Sequence, residues 1–255
     1  MGMATPAAPA NKVTEFLYTA DPGPSTITAF RINGDGTLSP AHDSLFVAPE
    51  APQKLLALGG NLLAAGRTTL TVYAADKETA VLRETDSVVL SAVDDFVIDD
   101  SSSLVYAAAS GEIFAYRLRD GKLQAVAGSP FRVSDQAPAG TELSGVSLAL
   151  DPSRNVLEIG FRIMAPRPGP AAMVAVMRRN SDGSLEPSMG GTAAVAAPPE
   201  NHLVLDATGE FAYRVDTDSA EIFAYRVEAG RLISLWPASY PAGEHPVSLA
   251  VVAPP

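Results

Sequence analysis

Two histidines with acidic neighbours are the groups in this chain best suited to move a proton. His202 lies in the run Glu200-Asn201-His202 and His245 in Gly243-Glu244-His245. An imidazole beside a carboxylate can titrate near neutral pH and act as a general base on water attacking a carbonyl. A hydrogen-bonded structural role at a strand end is the competing reading for both. His42 falls in an expected outer strand, away from them. Carboxylates recur before a set of short apolar strands, as Glu50, Asp94 with Asp95, Glu142, Glu200 and Glu244. Were they to converge, they would attract a cationic ligand or hold Ca²⁺ through oxygen ligands; solvated rim charges are the alternative. Asp95 with Glu200 is also a candidate carboxylate pair for glycoside hydrolysis. Phosphate recognition needs guanidiniums that meet. Arg67, Arg162 and Arg167 fall on the same side as these acids, whereas Arg31, Arg117, Arg178 and Arg226 are expected at the opposite face.

Other chemistries drop out. The chain has no cysteine, which removes disulfides, thiolate nucleophiles and zinc-thiolate sites. Eighteen basic against twenty-nine acidic side chains give a net charge of -11, so a nucleic-acid partner is not expected. No run of roughly 20 apolar residues is present, so no membrane span is expected. The nucleophile elbow, the paired-histidine zinc motif and the glycine-rich phosphate loops are missing. Asn33-Gly34-Asp35-Gly36-Thr37-Leu38 lacks the rest of a calcium-binding loop and reads as a hairpin turn.

The elements that must position these groups are repeated. Glu112 to Leu118 reads EIFAYRL and Glu221 to Val227 reads EIFAYRV, identical at six of seven positions. Each copy follows an apolar strand and leads into a turn that ends in leucine, as RDGKL and EAGRL. Equivalent units begin at Phe16, Leu62, Leu104, Val156 and Phe211, at intervals of 42 to 55 residues. That spacing suits a four-stranded propeller blade with loop insertions. The strands that follow alternate with a period of two, and the proline-bearing fourth strand suits an outer edge. One further strand per unit, QKLLALG, VDDFVID, SGVSLALD, NHLVLD and PVSLAVV, is expected innermost. The chain begins on a second strand and ends on a first strand, so the C-terminal strand can complete the N-terminal blade and cover an open edge.

The expected fold is therefore all-β: a five-bladed β-propeller of four-stranded antiparallel blades over residues 15–255, preceded by a flexible Ala/Pro-rich leader at 1–14. The long insertions Val133 to Leu143 and Arg162 to Ala171 fall on the face that carries the acids. They flank one blade and could wall a pocket there.

The segments FLYTADPGPSTITAFRINGDGTLSP, LVYAAASGEIFAYRLRDGKLQAVAGSPF and FAYRVDTDSAEIFAYRV resemble the repeat of the lactonase-type and YVTN-like β-propeller family. The resemblance covers nearly all of residues 15–252. It rests on scaffold motifs: the strand pattern, the glycine turn and the Ser129-Pro130-Phe131 segment. It implies 6-phosphogluconolactonase-like propellers as relatives, which typically have seven blades and several channel-facing His and Arg residues.

With only three histidines, the sequence favours a non-catalytic binding module that holds a small ligand or protein partner at the channel mouth. The alternative is a lactone hydrolase of the resembled family. Candidate catalytic residues are His202 and His245; candidate ligand-binding residues are Asp94, Asp95, Glu142, Arg162, Arg167, Glu200, His202, Glu244 and His245. No cofactor is expected, Ca²⁺ being the one ion the acids would suit. A monomer is expected, and a periplasmic or secreted location is favoured over the cytoplasm.

Overall fold

The computed structural model describes residues 15–133, 143–151, 155–163, 172–187, 203–206, 208–216, 218–228 and 231–253. The expected leader lies outside them. β1 (Glu15–Asp21), β2 (Thr26–Ile32) and β3 (Leu38–Val47) form a meander. The second sheet contains β4 (Lys54–Leu58), β5 (Asn61–Ala65), β6 (Thr69–Ala75) and β7 (Leu82–Val89). The third contains β8 (Val93–Asp99), β9 (Leu104–Ala109), β10 (Glu112–Arg119) and β11 (Lys122–Ala125), with β12 (Phe131–Arg132) also paired to β10. β13 (Leu143–Asp151), β14 (Val156–Ile163), β15 (Ala172–Arg179) and β16 (Leu185–Pro187) make the fourth sheet. β17 (Leu203–Leu205), β18 (Phe211–Asp216), β19 (Glu221–Glu228) and β20 (Arg231–Pro241) make the fifth. β21 (Ser248–Val252) then returns to β1, antiparallel from Phe16 opposite Val252 to Ala20 opposite Ser248. The protein is thus an all-β propeller of five antiparallel sheets, and the terminal strand completes the first of them.

Each expected innermost strand heads its sheet, and β21 lies beside β4, β4 beside β8, and β8 beside β13. A sheet that packs neighbours on both faces has no solvent side, so its middle strands are buried throughout. Every residue of β1 and of β9 is buried. Four apolar clusters fill the gaps between first and second, second and third, third and fourth, and fifth and first sheets.

A repeated tyrosine ties the sheets together. The hydroxyls of Tyr18, Tyr106 and Tyr213, each on a second strand, donate to the carbonyls of Ala80, Gly183 and Gly36 at 2.9, 3.0 and 3.0 Å. Each acceptor lies in the hairpin between the last two strands of the next sheet. The turn glycines serve a second purpose there. Gly36 has φ +83° and a Cβ on it would lie 2.1 Å from the Phe211 ring; Gly183 has φ +94° and a Cβ would lie 2.5 Å from Leu104. Arg31 and Arg117 donate to the carbonyls of Glu78 and Asp182 in the same hairpins, on the side away from the inner-strand starts as expected. In the third sheet the outer strand is interrupted between β11 and β12, and the Ser129 hydroxyl accepts the Ala115 amide that the interruption leaves unpaired.

Candidate functional site: the channel mouth

The starts of the inner strands sit against loops that join second and third strands. The amides of Gln53, Val93 and Val247 donate to the carbonyls of Ala65, Arg67 and Ala20, at 2.8, 2.8 and 2.9 Å. These contacts gather Glu50, Lys54, Arg67, Asp94, Asp95, Asp21, Glu244 and His245 on one face.

Asp95 connects three sheets. Its Oδ1 accepts Lys54 Nζ from β4 at 2.7 Å, and its Oδ2 accepts the Leu148 amide from β13 at 2.8 Å. The Phe96 amide also donates to Oδ1, at 2.8 Å. Lys54 lies 5.7 Å from the centre of the Phe96 ring, a cation–π contact that helps orient the ammonium. The same strand position is used by Ser248, whose hydroxyl accepts the Leu55 amide across the gap between the first and second sheets. Lys54, Asp95, Ser147 and Ser248 are equivalent in their strands.

Asp94 occupies a β-bulge. Val93 opposes Ala109 and Asp95 opposes Ala108, so Asp94 is the inserted residue, and its side chain is exposed. Bulges re-aim side chains at strand ends and recur beside active sites. Desolvation, then the charge of Asp95, raises the Asp94 pKa above its ordinary value. A similar irregularity falls between Ser144 and Ser147 on β13.

Two other carboxylates brace loops. Glu50 accepts the Thr68 amide at 2.9 Å and the Thr69 hydroxyl at 2.6 Å. Burial pushes its carboxyl up, but the bonds from Thr69 and Thr68 outweigh that and leave it below the ordinary value. Asp21, 2% exposed, accepts the amides of Gly23, Glu244 and His245 at 3.2, 2.6 and 2.9 Å. The Thr19 hydroxyl adds a bond to the Ala242 carbonyl at 3.2 Å. The backbone of Ala242 to His245 is therefore pinned while the Glu244 and His245 side chains stay exposed, and neither makes a hydrogen bond or ion pair among the described residues. Arg67 is exposed too, without an ion pair among them.

Of the candidates from sequence, Asp94 and Asp95 are adjacent in the third sheet, and Glu244 and His245 lie on the same face in the first. Glu142, Arg167, Glu200 and His202 lie outside the described residues, as do 134–142 and 164–171 of the two insertions. Arg162 is placed by its backbone in β14, opposite Ala172, and its side chain is outside the description. Sequence reasoning missed Lys54 and Asp21. Among the described residues no three His, Asp or Glu side chains group at metal-binding spacing, and no helix is long and apolar enough to cross a membrane.

No protein-family model matches the chain, and no curated protein sequence matches it. Solved structures do. One is a Bacteroides uniformis protein provisionally assigned as a 6-phosphogluconolactonase, at TM-score 0.57 and 18% identity over 95% of this chain and 72% of that one. The fold is shared. A Lactobacillus plantarum protein matches at TM-score 0.56 and 16% identity, over 92% of this chain and 71% of that one. The periplasmic gluconolactonase of Pseudomonas aeruginosa matches at TM-score 0.54 and 17% identity, over 95% and 70%. At these identities the likeness establishes the propeller fold, while activity has to be argued from the site.

Chemically, the face offers an exposed carboxyl of raised pKa, a held ammonium with free donors, an imidazole and a second exposed carboxylate. That set suits addition of water to a polarised carbonyl.

Proposed function

We propose that this protein hydrolyses sugar lactones at the channel mouth and works outside the cytoplasm as a monomer. The observation that carries the reading is the Lys54–Asp95–Asp94 cluster on the inner-strand face of a fold shared with a gluconolactonase. Asp94 takes a proton from water as the water oxygen bonds to the lactone carbonyl carbon. Lys54 stabilises the oxyanion that forms. As the ring C–O bond breaks, the proton passes to the leaving ring oxygen, and the open-chain acid then ionises and releases one proton to solvent. Glu244 and His245 hold substrate hydroxyls from the far side of the mouth. His202, Glu142, Glu200, Arg162 and Arg167, candidates from the sequence, complete the proposed set of ligand-binding residues. The periplasmic location of the gluconolactonase of like fold supports the compartment.

The second reading is a binding module without chemistry. It is favoured by the saturation of Glu50, Asp21 and Asp95 with protein donors, which leaves fewer groups free to react. Proton release from D-glucono-1,5-lactone separates the two. Saturable release above the spontaneous rate supports hydrolysis; lactone binding without turnover supports the module.

A further inference from the structure

The charge of the mouth bears on which lactone it accepts. On this face the described acids, Asp21, Glu50, Asp94, Asp95 and Glu244 among them, outnumber the bases Lys54, Arg67, Arg132 and Arg214. Other arginines cannot compensate. Arg132 and Arg214 are paired with Glu112 and Asp216, Arg31 and Arg117 are bonded to hairpin carbonyls on the opposite side, and Arg179 is buried against Asp99. The molecule as a whole carries -11. A phosphate monoester, close to a dianion at neutral pH, needs guanidiniums that meet and would be repelled here.

Lys54 is placed to address an uncharged carbonyl instead. Its ammonium has three donors, and Asp95 takes one at 2.7 Å. The Lys54 side chain keeps 28% of its surface exposed, and Asp95 is anchored from its other oxygen by the Leu148 amide. The remaining N–H groups therefore have a fixed origin, and the paired charge gives little attraction for a free anion.

Resting on the hydrolase reading, we propose that the mouth selects an uncharged sugar lactone over its 6-phosphorylated counterpart, with Lys54 donating to the lactone carbonyl oxygen and Asp95 as the residue that positions Lys54.

The test compares kcat/KM for D-glucono-1,5-lactone and 6-phospho-D-glucono-1,5-lactone at low and high salt. Equilibrium binding of two uncleaved probes, D-gluconohydroximo-1,5-lactone and its 6-phosphate, is measured alongside by calorimetry. A preference of at least about tenfold for the uncharged partner in each pair is expected at low salt, and it narrows as salt screens the carboxylates. Lys54→Met is expected to weaken the uncharged probe about tenfold and to lower kcat more than it raises KM, with partial rescue in Lys54→Arg. Asp95→Asn shows the Lys54→Met pattern in milder form if it acts through Lys54. Equal or better use of the phosphorylated partner overturns the inference, as does failure of the uncharged probe to bind or indifference to Lys54→Met in a folded variant. If the uncharged probe binds in a Lys54-dependent way and no lactone is hydrolysed, the hydrolase reading falls while the selectivity stands.

Discussion

The Asp21 carboxylate, buried at the end of β1, accepts the backbone amide of His245 at 2.9 Å across almost the whole length of the chain. Through that bond and its neighbour to Glu244, the second strand of the first sheet fixes the loop that feeds the innermost strand. Asp21→Ala leaves those amides without their acceptor. A loss of about 2–4 kcal/mol is expected, with faster hydrogen exchange at the Glu244 and His245 amides than elsewhere in β21. Chemical denaturation and exchange mass spectrometry measure both. Unchanged exchange at that loop would show that Thr19 alone suffices to hold it.

Removal of residues 246–255 takes away β21 and uncovers the hydrogen-bonding edge of β1. Leu249, Ala250 and Val252 leave the core with it. Aggregation or a large fall in Tm is expected, because an exposed apolar edge recruits other strands. A truncated chain that melted like the full one would mean that the first sheet does not depend on its closing strand.

Asp99 and Arg179 form a buried pair at 2.5 Å between the third and fourth sheets, with side chains 8% and 7% exposed. Burial pushes the Asp99 carboxyl up, but hydrogen bonds from Ser101, Arg179 and Ser102 and the Arg179 charge outweigh it and hold the pKa far below its ordinary value. A depressed folded-state value stabilises the protein above the unfolded value of about 3.9, and that contribution is lost as pH falls toward the folded value. Arg179→Met should therefore cost about 3–5 kcal/mol near neutral pH. The gap from the parent protein should narrow below about pH 4, where Asp99 in the variant is protonated. Urea melts at several pH values test the sign; a gap that widened on acidification would contradict it.

The Tyr213 hydroxyl donates to the Gly36 carbonyl between the fifth and first sheets, and the two sides of the contact should respond differently. Tyr213→Phe removes one hydrogen bond and should cost about 1–2 kcal/mol. Gly36→Ala meets both the positive φ and the Phe211 ring, and should cost about 2–4 kcal/mol. Reversal of that order would mean that the ring yields easily to the added methyl.

The repeat was readable because each blade re-uses local signals. EIFAYR marks a third strand in two blades, glycine marks the turn after it, and the apolar run before it marks a strand buried on both faces. Even the Ser129-Pro130-Phe131 segment has a local reason, since Ser129 replaces a lost strand partner and Phe131 resumes pairing opposite Ile113. The mouth was less readable. Lys54 looks like an ordinary exposed lysine until β4 and β8 are set side by side. Asp21 looks like a turn residue until β21 arrives from the far end of the chain. Asp94 and Asp95 are neighbours in sequence, but only the bulge separates an exposed carboxyl from one bonded to two other sheets. Each of these roles depends on which strands meet, which no local pattern encodes.

The most direct test of lactone hydrolysis at this mouth is proton release from D-glucono-1,5-lactone by the parent protein and by Asp94→Asn, with Tm measured on both. The account predicts saturable hydrolysis by the parent and a kcat lowered about 10²- to 10⁴-fold in the variant at unchanged Tm. Release no faster than the spontaneous reaction, or equal rates in the two proteins, would contradict it.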